Sequence, residues 1–240
     1  MTTLYLIRHG QAGTRDAYDS LSDLGRRQSR LLGEHFARQG VHFDAVYAGG
    51  MSRQLQTAQE ALKAYAAAGL SCPDIVVEEE WNEFDLGLLY QEIAPQLCAR
   101  DPQFRAEYET MLQRLRESSP NAEIHRKWQP CDSRLVEAWI RNLHSHRGET
   151  WAQFRERIVS RRAQMSDTHL HQNIAIFTSA TPVAIWTGLT LEIPDEQIMR
   201  LAGVLYNSAV TTLKLRGDDL RLFAFNAIPH LPTPDLRTHR

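Results

Sequence analysis

A short apolar run at residues 4–7 of this 240-residue chain ends directly in the tripeptide Arg8-His9-Gly10. A continuous apolar run of this length predicts a buried strand. In open α/β sheets, ligands bind where such strands end. An arginine beside a histidine at that position indicates a phosphate clamp next to a nucleophile or general base. Gly10 would let the backbone turn sharply there and approach a ligand closely.

Strand-like and helix-like segments alternate along much of the chain. Ser22 has the chemistry of a helix N-cap and Gly40 that of a helix stop, which predicts a helix over residues 23–39. Thr181 as N-cap with Pro182 at the first helical position predicts another helix start. The other predicted helices cover residues 52–68 and 149–165, and the predicted strands cover residues 3–7, 43–47, 75–77, 174–177, 210–215 and 220–225.

This alternation predicts an α/β fold, a three-layer α/β/α sandwich around a mainly parallel sheet. The stretch from residue 90 to residue 154 differs, because it is mostly helical in pattern, rich in Arg, Glu and Gln, and punctuated by prolines. We interpret it as a helical cap insertion over about residues 88–150. The whole chain, residues 1–240, is then a single domain that carries this insertion.

Composition limits the partners and the compartment. The formal net charge is −2, so no general basic field would attract nucleic acid. The three cysteines, Cys72, Cys98 and Cys131, are widely spaced, which favours reduced thiols over a disulfide framework or a metal site. No signal peptide and no apolar stretch of membrane-spanning length are visible. We therefore expect a cytoplasmic protein without nucleic-acid or membrane partners.

Four polar features follow predicted strands, and their combination is informative. The Arg8-His9-Gly10 opening followed by Arg-x-x-Gln-Thr-Ala from Arg53 is highly specific as a pair. Nearly the whole chain, in order, resembles the histidine phosphatase superfamily, the phosphoglycerate-mutase-like proteins. The resemblance is carried by Arg8-His9-Gly10, residues 21–25, Gln28, Arg53, Glu83, Thr178-Ser179-Ala180 and Asn207.

The resemblance implies a mechanism. His9 would be the nucleophile that forms a phosphohistidine, with its other ring nitrogen held by a backbone carbonyl. Arg8 and Arg53 would bind the phosphoryl oxygens, and their charge would keep the imidazole neutral. Glu83 would protonate the leaving oxygen and then take a proton from the attacking water. No metal or other cofactor is implied, because the arginines supply the positive charge.

One position departs from the family pattern. The family usually has a second histidine where this chain has Ser179. A hydroxyl can donate one hydrogen bond to a phosphoryl oxygen, but it offers no cationic donor. Losing one preorganised donor lowers the rate by roughly 10²–10³ in other enzymes. The implied phosphate-binding set is Arg8, Gly10, Arg53, Ser179 and Ala180.

Two functions therefore stay open at the level of sequence. The favoured one is a metal-independent phosphatase that hydrolyses a small phosphomonoester. The alternative is a catalytically impaired phosphate-binding or regulatory protein of the same fold, and a phosphoglycerate-type mutase is a weaker third. The expected partner is a small phosphorylated substrate or inorganic phosphate. The sequence leaves a homodimer open.

The remaining histidines carry less information. His144-x-His146 and His169-x-His171 lie in polar stretches, where this spacing does not converge on a metal, so we expect solvated surface histidines. His230 is expected to pack the tail onto the core. A role for His230 as a substitute for the missing second histidine is the less favoured alternative.

Overall fold

The structure is a computed structural model that describes residues 1–14, 19–119, 122–125 and 127–239. Six strands of the described residues form one sheet in the order β3-β2-β4-β1-β5-β6. Strands β1 to β4 run parallel to one another, whereas β5 is antiparallel to both of its neighbours. The strands are β1 (Thr2–Arg8), β2 (Ala45–Ala48), β3 (Ile75–Val77), β4 (Asn173–Thr178), β5 (Val210–Arg216) and β6 (Asp219–Ala227).

The helices predicted at residues 23–39, 52–68 and 149–165 are present to within a few residues at their ends, whereas the helix at Asp195–Ala202 was not predicted. The Ser22 hydroxyl accepts a hydrogen bond from Gly25 N at 3.0 Å, which confirms the predicted N-cap of the first helix. The helices are α1 (Asp23–Arg38), α2 (Ser52–Ala67), α3 (Leu86–Glu92), α4 (Ala94–Arg100), α5 (Pro102–Glu117), α6 (Pro130–Ile140), α7 (Trp151–Thr168), α8 (Ala180–Leu191) and α9 (Asp195–Ala202). None of these described helices is both long and apolar enough to cross a membrane.

The start of α8 corrects the sequence prediction. The N-cap is Ser179 rather than Thr181, so Pro182 is the third helical residue rather than the first. A proline is tolerated at this position because the first N–H groups of a helix have no partner within the helix. The consequence is that Ser179 lies at the junction between β4 and α8.

Both faces of the sheet are buried at its central strands. Side chains alternate between the faces of a strand, so Ile7 and Leu6 point in opposite directions, yet both are fully buried. Helices α1 and α2 cover the Ile7 face, and α8 packs against β1. Ile7 belongs to a hydrophobic cluster with Leu32, Phe36, Val46, Ala58, Ala61, Leu62, Tyr65, Ala175 and Phe177. The predicted α/β fold is confirmed.

The chain divides into two compact units. The first comprises Met1–Glu83 and Arg157–Arg240 and contains the whole sheet. The second, Phe84–Glu156, contains α3 to α6 and the first residues of α7, and its aromatic core includes Phe84 and Trp139 with ring centroids 4.9 Å apart. Its bounds lie a few residues outside the predicted insertion at 88–150. The assignment of the chain to a single domain stays a prediction.

Candidate active site

The parallel pairing of β1 with β4 brings two of the predicted features to the same edge of the sheet. Arg8 is in register with Thr178, and the next residue, His9, donates its backbone N–H to the Thr178 carbonyl at 2.8 Å. The residue that follows Thr178 is Ser179. The two strand ends therefore place His9 and Ser179 side by side, as expected for strands whose carboxyl ends share one edge.

The His9 imidazole is buried and held from two sides. Its Nδ1 lies 2.8 Å from the Gly10 carbonyl, and a carbonyl only accepts hydrogen bonds, so Nδ1 carries the proton. Nε2 is then the unprotonated ring nitrogen, and it accepts a hydrogen bond from Arg53 Nε at 3.3 Å. The unprotonated nitrogen of the imidazole therefore lies directly beside a guanidinium.

Helix α2 holds Arg53 next to this nitrogen. The Arg53 side chain is only 4% exposed, and its Nη1 lies 3.0 Å from the carboxylate of Asp19. Thr57, one turn further along α2, donates to the Arg53 carbonyl at 2.7 Å and accepts from Gly10 N at 3.0 Å. The Thr57 hydroxyl thus ties the loop that follows β1 to the helix that carries the guanidinium.

Gly10 and Arg8 both have partners within the chain, and their predicted role in phosphate binding stays a prediction. A Cβ at Gly10 would lie 2.6 Å from the Gly25 carbonyl oxygen, so the close approach of this loop to α1 requires glycine. Both backbone polar groups of Gly10 have intramolecular partners, the His9 ring and the Thr57 hydroxyl, so Gly10 supports the position of His9. Arg8 is buried at the end of β1, and its guanidinium donates to the Leu205 carbonyl.

The backbone of the His9 loop is supported from behind by two amide side chains that carry the family resemblance. Asn207 Nδ2 and Ser208 N donate to the His9 carbonyl at 3.3 and 3.1 Å. Gln28 Oε1 accepts from Gln11 N at 2.8 Å. Main-chain groups on both sides of Gly10 are therefore held by residues from distant parts of the chain.

Glu83 reaches the start of α8. Its Oε2 accepts a hydrogen bond from Thr181 N at 3.1 Å, so the carboxylate binds the N-terminus of the helix that Ser179 precedes. The segment before Glu83 is anchored by Arg157 of α7, whose Nη1 donates to the carbonyls of Glu80 and Asn82 at 2.8 and 3.2 Å. The predicted acid is thus held close to Ser179.

Ser179 is buried and bonded to a side chain that the sequence prediction did not assign. Gln54 Nε2 donates to Ser179 Oγ at 2.8 Å and to the Trp81 carbonyl at 3.1 Å. Gln54 directly follows Arg53 on α2. A continuous series of contacts therefore runs from His9 through Arg53, Gln54 and Ser179 to the helix start that holds Glu83.

The remaining histidines lie elsewhere, and two of them correct the sequence prediction. His144 and His169 are buried, not solvated, and His169 Nε2 lies 2.8 Å from the Tyr47 hydroxyl, a partner that local sequence spacing does not reveal. His230 is also buried, with Nε2 2.8 Å from Ser208 Oγ and its ring beside His35. Burial lowers the pKa of His230 to about 3, with a smaller contribution from His35.

Sequence reasoning missed Asp19, Gln54, Thr57 and Arg157. Thr57 lies inside the Arg-x-x-Gln-Thr-Ala segment, so the sequence pattern includes this residue. The pattern does not predict its hydrogen bond to Gly10. Gln54 and Arg157 contact partners that are 125 and 77 residues away in the chain. Local sequence spacing does not predict contacts at such separations. Within the described ranges, no group of three or more His, Cys, Asp or Glu side chains could hold a metal ion.

Comparison with known proteins agrees with the motif resemblance. The family model of the histidine phosphatase superfamily (branch 1) matches residues 4–124 and 110–228. The chain therefore belongs to the histidine phosphatase superfamily, and this membership places it among phosphatase-type enzymes. The predicted resemblance is confirmed, while the substitution of Ser179 for a second histidine stays a prediction. Among curated proteins, none matches the chain.

Solved structures share the fold over almost the whole chain. Phosphoserine phosphatase from Entamoeba histolytica, as a mutant with phosphoserine, is 18% identical, with a TM-score of 0.59 over 96% of this chain and 100% of that one. Bacillus stearothermophilus YhfR is 19% identical, with a TM-score of 0.63 over 96% and 99%. Phosphoglycerate mutase from Bacillus anthracis is 15% identical, with a TM-score of 0.62 over 95% and 94%. At these identities the likeness supports the fold alone.

Proposed function

We propose that this protein is a metal-independent phosphomonoesterase that hydrolyses a small phosphomonoester through a phosphohistidine on His9. One observation carries the proposal: His9 Nδ1 is fixed on the Gly10 carbonyl while Nε2 faces the Arg53 guanidinium. A nucleophile needs a free lone pair, and a phosphoryl group needs positive charge close to that lone pair. Both requirements meet at this nitrogen.

In the first step, His9 Nε2 attacks phosphorus as the bond to the leaving oxygen breaks. Arg53 transfers its hydrogen bond from Nε2 to a phosphoryl oxygen, so its positive charge stabilises the negative charge of the phosphoryl group in the transition state. The bond from Nδ1 to Gly10 stays intact and stabilises the positive charge that the imidazole acquires. Arg8, Gly10, Ser179 and Ala180 complete the proposed phosphate-binding set.

Glu83 serves as the acid and base of the cycle. As a protonated carboxyl group it gives its proton to the leaving alkoxide, which departs as an alcohol. The resulting carboxylate then takes a proton from water as the water oxygen attacks phosphorus and the N–P bond breaks. Inorganic phosphate leaves, His9 recovers its lone pair, and Glu83 is protonated again.

The substrate class follows from the site and from the fold relatives. Guanidinium groups and a single hydroxyl recognise the phosphoryl group itself, so the proposal extends to a small phosphorylated molecule but not to a particular leaving group. Two structures of the same Entamoeba histolytica enzyme contain phosphoserine and 3-phosphoglyceric acid. These compounds belong in the first panel of substrates.

A panel of phosphomonoesters tested on the wild type and on His9→Ala checks the proposal. We expect the wild type to release inorganic phosphate and to carry acid-labile phosphate, and His9→Ala to do neither. If the wild type binds phosphate but shows no labelling and no turnover at high enzyme concentration, the impaired binding protein suggested by Ser179 is correct instead. An isomerised phosphoester in place of free phosphate would indicate a mutase.

A further inference from the structure

The Ser179 hydroxyl has one hydrogen-bond partner among the described residues, the side-chain amide of Gln54 at 2.8 Å. Both side chains are buried, with Ser179 1% exposed and Gln54 fully buried. A buried polar pair of this kind holds a defined orientation, because a lost hydrogen bond is not replaced by water.

The direction of this hydrogen bond is set by a second contact. Gln54 Nε2 also lies 3.1 Å from the Trp81 carbonyl, and a carbonyl can only accept. The nitrogen side of the amide therefore faces both Trp81 and Ser179, while Gln54 Oε1 accepts from Met51 N at 3.3 Å. It follows that Ser179 Oγ accepts from Gln54 and keeps its own hydrogen for another acceptor.

Ser179 is not occupied as a helix cap. A serine in the N-cap position usually accepts from the N–H of the second or third helical residue. Here the third residue is Pro182, which has no N–H, and the N–H of the second residue, Thr181, is bonded to Glu83. The structure accordingly shows no capping bond to the Ser179 side chain.

We propose that Gln54 is a positioning residue that fixes the Ser179 hydroxyl as a hydrogen-bond donor to the phosphoryl group. The inference rests on the proposed function and extends it, because it states how a neutral serine serves where the family usually has a histidine. Ser179 follows Thr178, whose carbonyl accepts from His9 N–H at 2.8 Å, so the backbone of Ser179 lies beside that of the nucleophile at the edge of the sheet. Donation from Gln54 to Oγ also polarises the O–H bond and strengthens its donation onward.

A double-mutant cycle with Gln54→Met and Ser179→Ala tests this link. Methionine approximates the size of glutamine but donates no hydrogen bond. We expect each single variant to lower kcat/KM for p-nitrophenyl phosphate by about threefold to tenfold, the range for one neutral hydrogen bond. In the Ser179→Ala background, Gln54→Met should lower kcat/KM by less than about twofold, since no hydroxyl remains to be oriented.

Losses that multiply in the double variant would overturn the proposal, because Gln54 would then act independently of Ser179. Thermal unfolding of all four proteins separates this result from a structural effect. Gln54→Met loses its bond to Trp81 in either background, so its effect on Tm should persist where its effect on kcat/KM disappears. Gln59→Met, the same change at an exposed position of α2, should match the wild type.

A replacement variant and a binding measurement cover the cases in which a variant does not fold or the wild type shows no turnover. If Gln54→Met fails to fold, Gln54→Leu replaces it in the cycle, since leucine is also neutral and donates no hydrogen bond to Oγ. If the wild type shows no turnover, the proposed function fails, and the same cycle is measured as the Kd of inorganic phosphate. Coupling in Kd would support the positioning role without catalysis, and absence of coupling or of phosphate binding would refute it.

Discussion

The ends of β1 and β4 are neighbours in the sheet, yet they hold their functional side chains in different ways. At the end of β1, both ring nitrogens and both backbone polar groups of His9 have partners, supplied by four separate parts of the chain. At the end of β4, the Ser179 hydroxyl depends on Gln54 alone among the described residues. Several partners together fix the orientation of the His9 side chain. The orientation of the Ser179 hydroxyl depends on the Gln54 side chain.

This difference explains where the site can vary. Rotation of the His9 ring would break bonds to Gly10 and Arg53 together, so the β1 end tolerates little change. A substitution at Ser179 changes one hydrogen bond and leaves the start of α8 in place. Ser179, the position at which we expect the chain to depart from the family pattern, is therefore the more weakly constrained of the two.

The largest effect is expected at the β1 end. Arg53→Met removes the guanidinium that contacts His9 Nε2, so we expect kcat to fall by roughly 10²–10³, as when a preorganised charge-stabilising donor is lost. Rapid-quench measurement of phosphohistidine formation would show the loss in the first chemical step. Arg26→Met, which removes a partly exposed arginine paired with Glu60, is the matched control. A kcat within threefold of the wild type would contradict the stronger role of the β1 end.

A smaller effect on kcat is expected when Glu83, the proposed acid near the end of β4, loses its support. Arg157→Met removes the contacts to the Glu80 and Asn82 carbonyls, so Glu83 should lose its fixed position. We expect kcat to fall about tenfold for an alkyl phosphate and much less for p-nitrophenyl phosphate, since a good leaving group needs little help from an acid. Steady-state rates on the two esters measure this difference.

The control for this prediction lies one turn further along α7. Arg161 pairs with the carboxylates of Glu78 and Glu80 rather than with the carbonyls next to Glu83. Arg161→Met should therefore lower both rates equally or not at all. Equal losses on both esters with Arg157→Met would show that this arginine stabilises the fold without positioning the acid.

The two strand ends also differ in how far the sequence could predict them. Arg8, His9 and Gly10 are consecutive after a predicted strand, and together with the Arg-x-x-Gln-Thr-Ala segment from Arg53 they indicate a site from local sequence. Ser179 could be placed only by the family resemblance, and the helix start was predicted two residues late because Thr181-Pro182 is the stronger local signal. Helix and strand types follow local periodicity, so they were predictable.

The partners of the site were not predictable, for a physical reason. The side chains that orient His9 and Ser179 act across the sheet through single hydrogen bonds between residues far apart in sequence. The burial of His169 was not predicted for the same reason, since its partner Tyr47 is 122 residues away in the chain. A polar residue shows its function in sequence only when its neighbours in space are also its neighbours in the chain.

Asp19→Asn is expected to strengthen phosphate binding by a few-fold. The Asp19 carboxylate contacts Arg53 Nη1 at 3.0 Å and Ser52 N at 3.2 Å, so it holds part of the guanidinium that the proposed phosphate needs. Asp19 is 56% exposed, and exposed ion pairs contribute up to about 1 kcal/mol, which corresponds to at most about fivefold. We expect the Kd of inorganic phosphate to fall by twofold to fivefold, less so in high salt. Weaker binding would show that Asp19 orients Arg53 instead of competing for it.

The smallest effect on activity is expected behind the β1 end, at His230. Its bond to Ser208 is one of several supports of the His9 loop, so His230→Gln, which can still bond to that hydroxyl, should leave kcat within about threefold of the wild type. Stability should respond more clearly. Burial lowers the folded-state pKa to about 3, whereas the unfolded chain binds the proton near pH 6.5.

Between these two values the unfolded state holds more protons, so His230 makes the wild type less stable as the pH falls from 6.5 towards 3. The slope from one such proton is at most about 1.4 kcal/mol per pH unit. Denaturant unfolding at pH 7 and pH 5 should show a smaller loss of stability in His230→Gln than in the wild type. Equal losses would mean that His230 takes up its proton in the folded state, and the support behind His9 would then itself respond to pH.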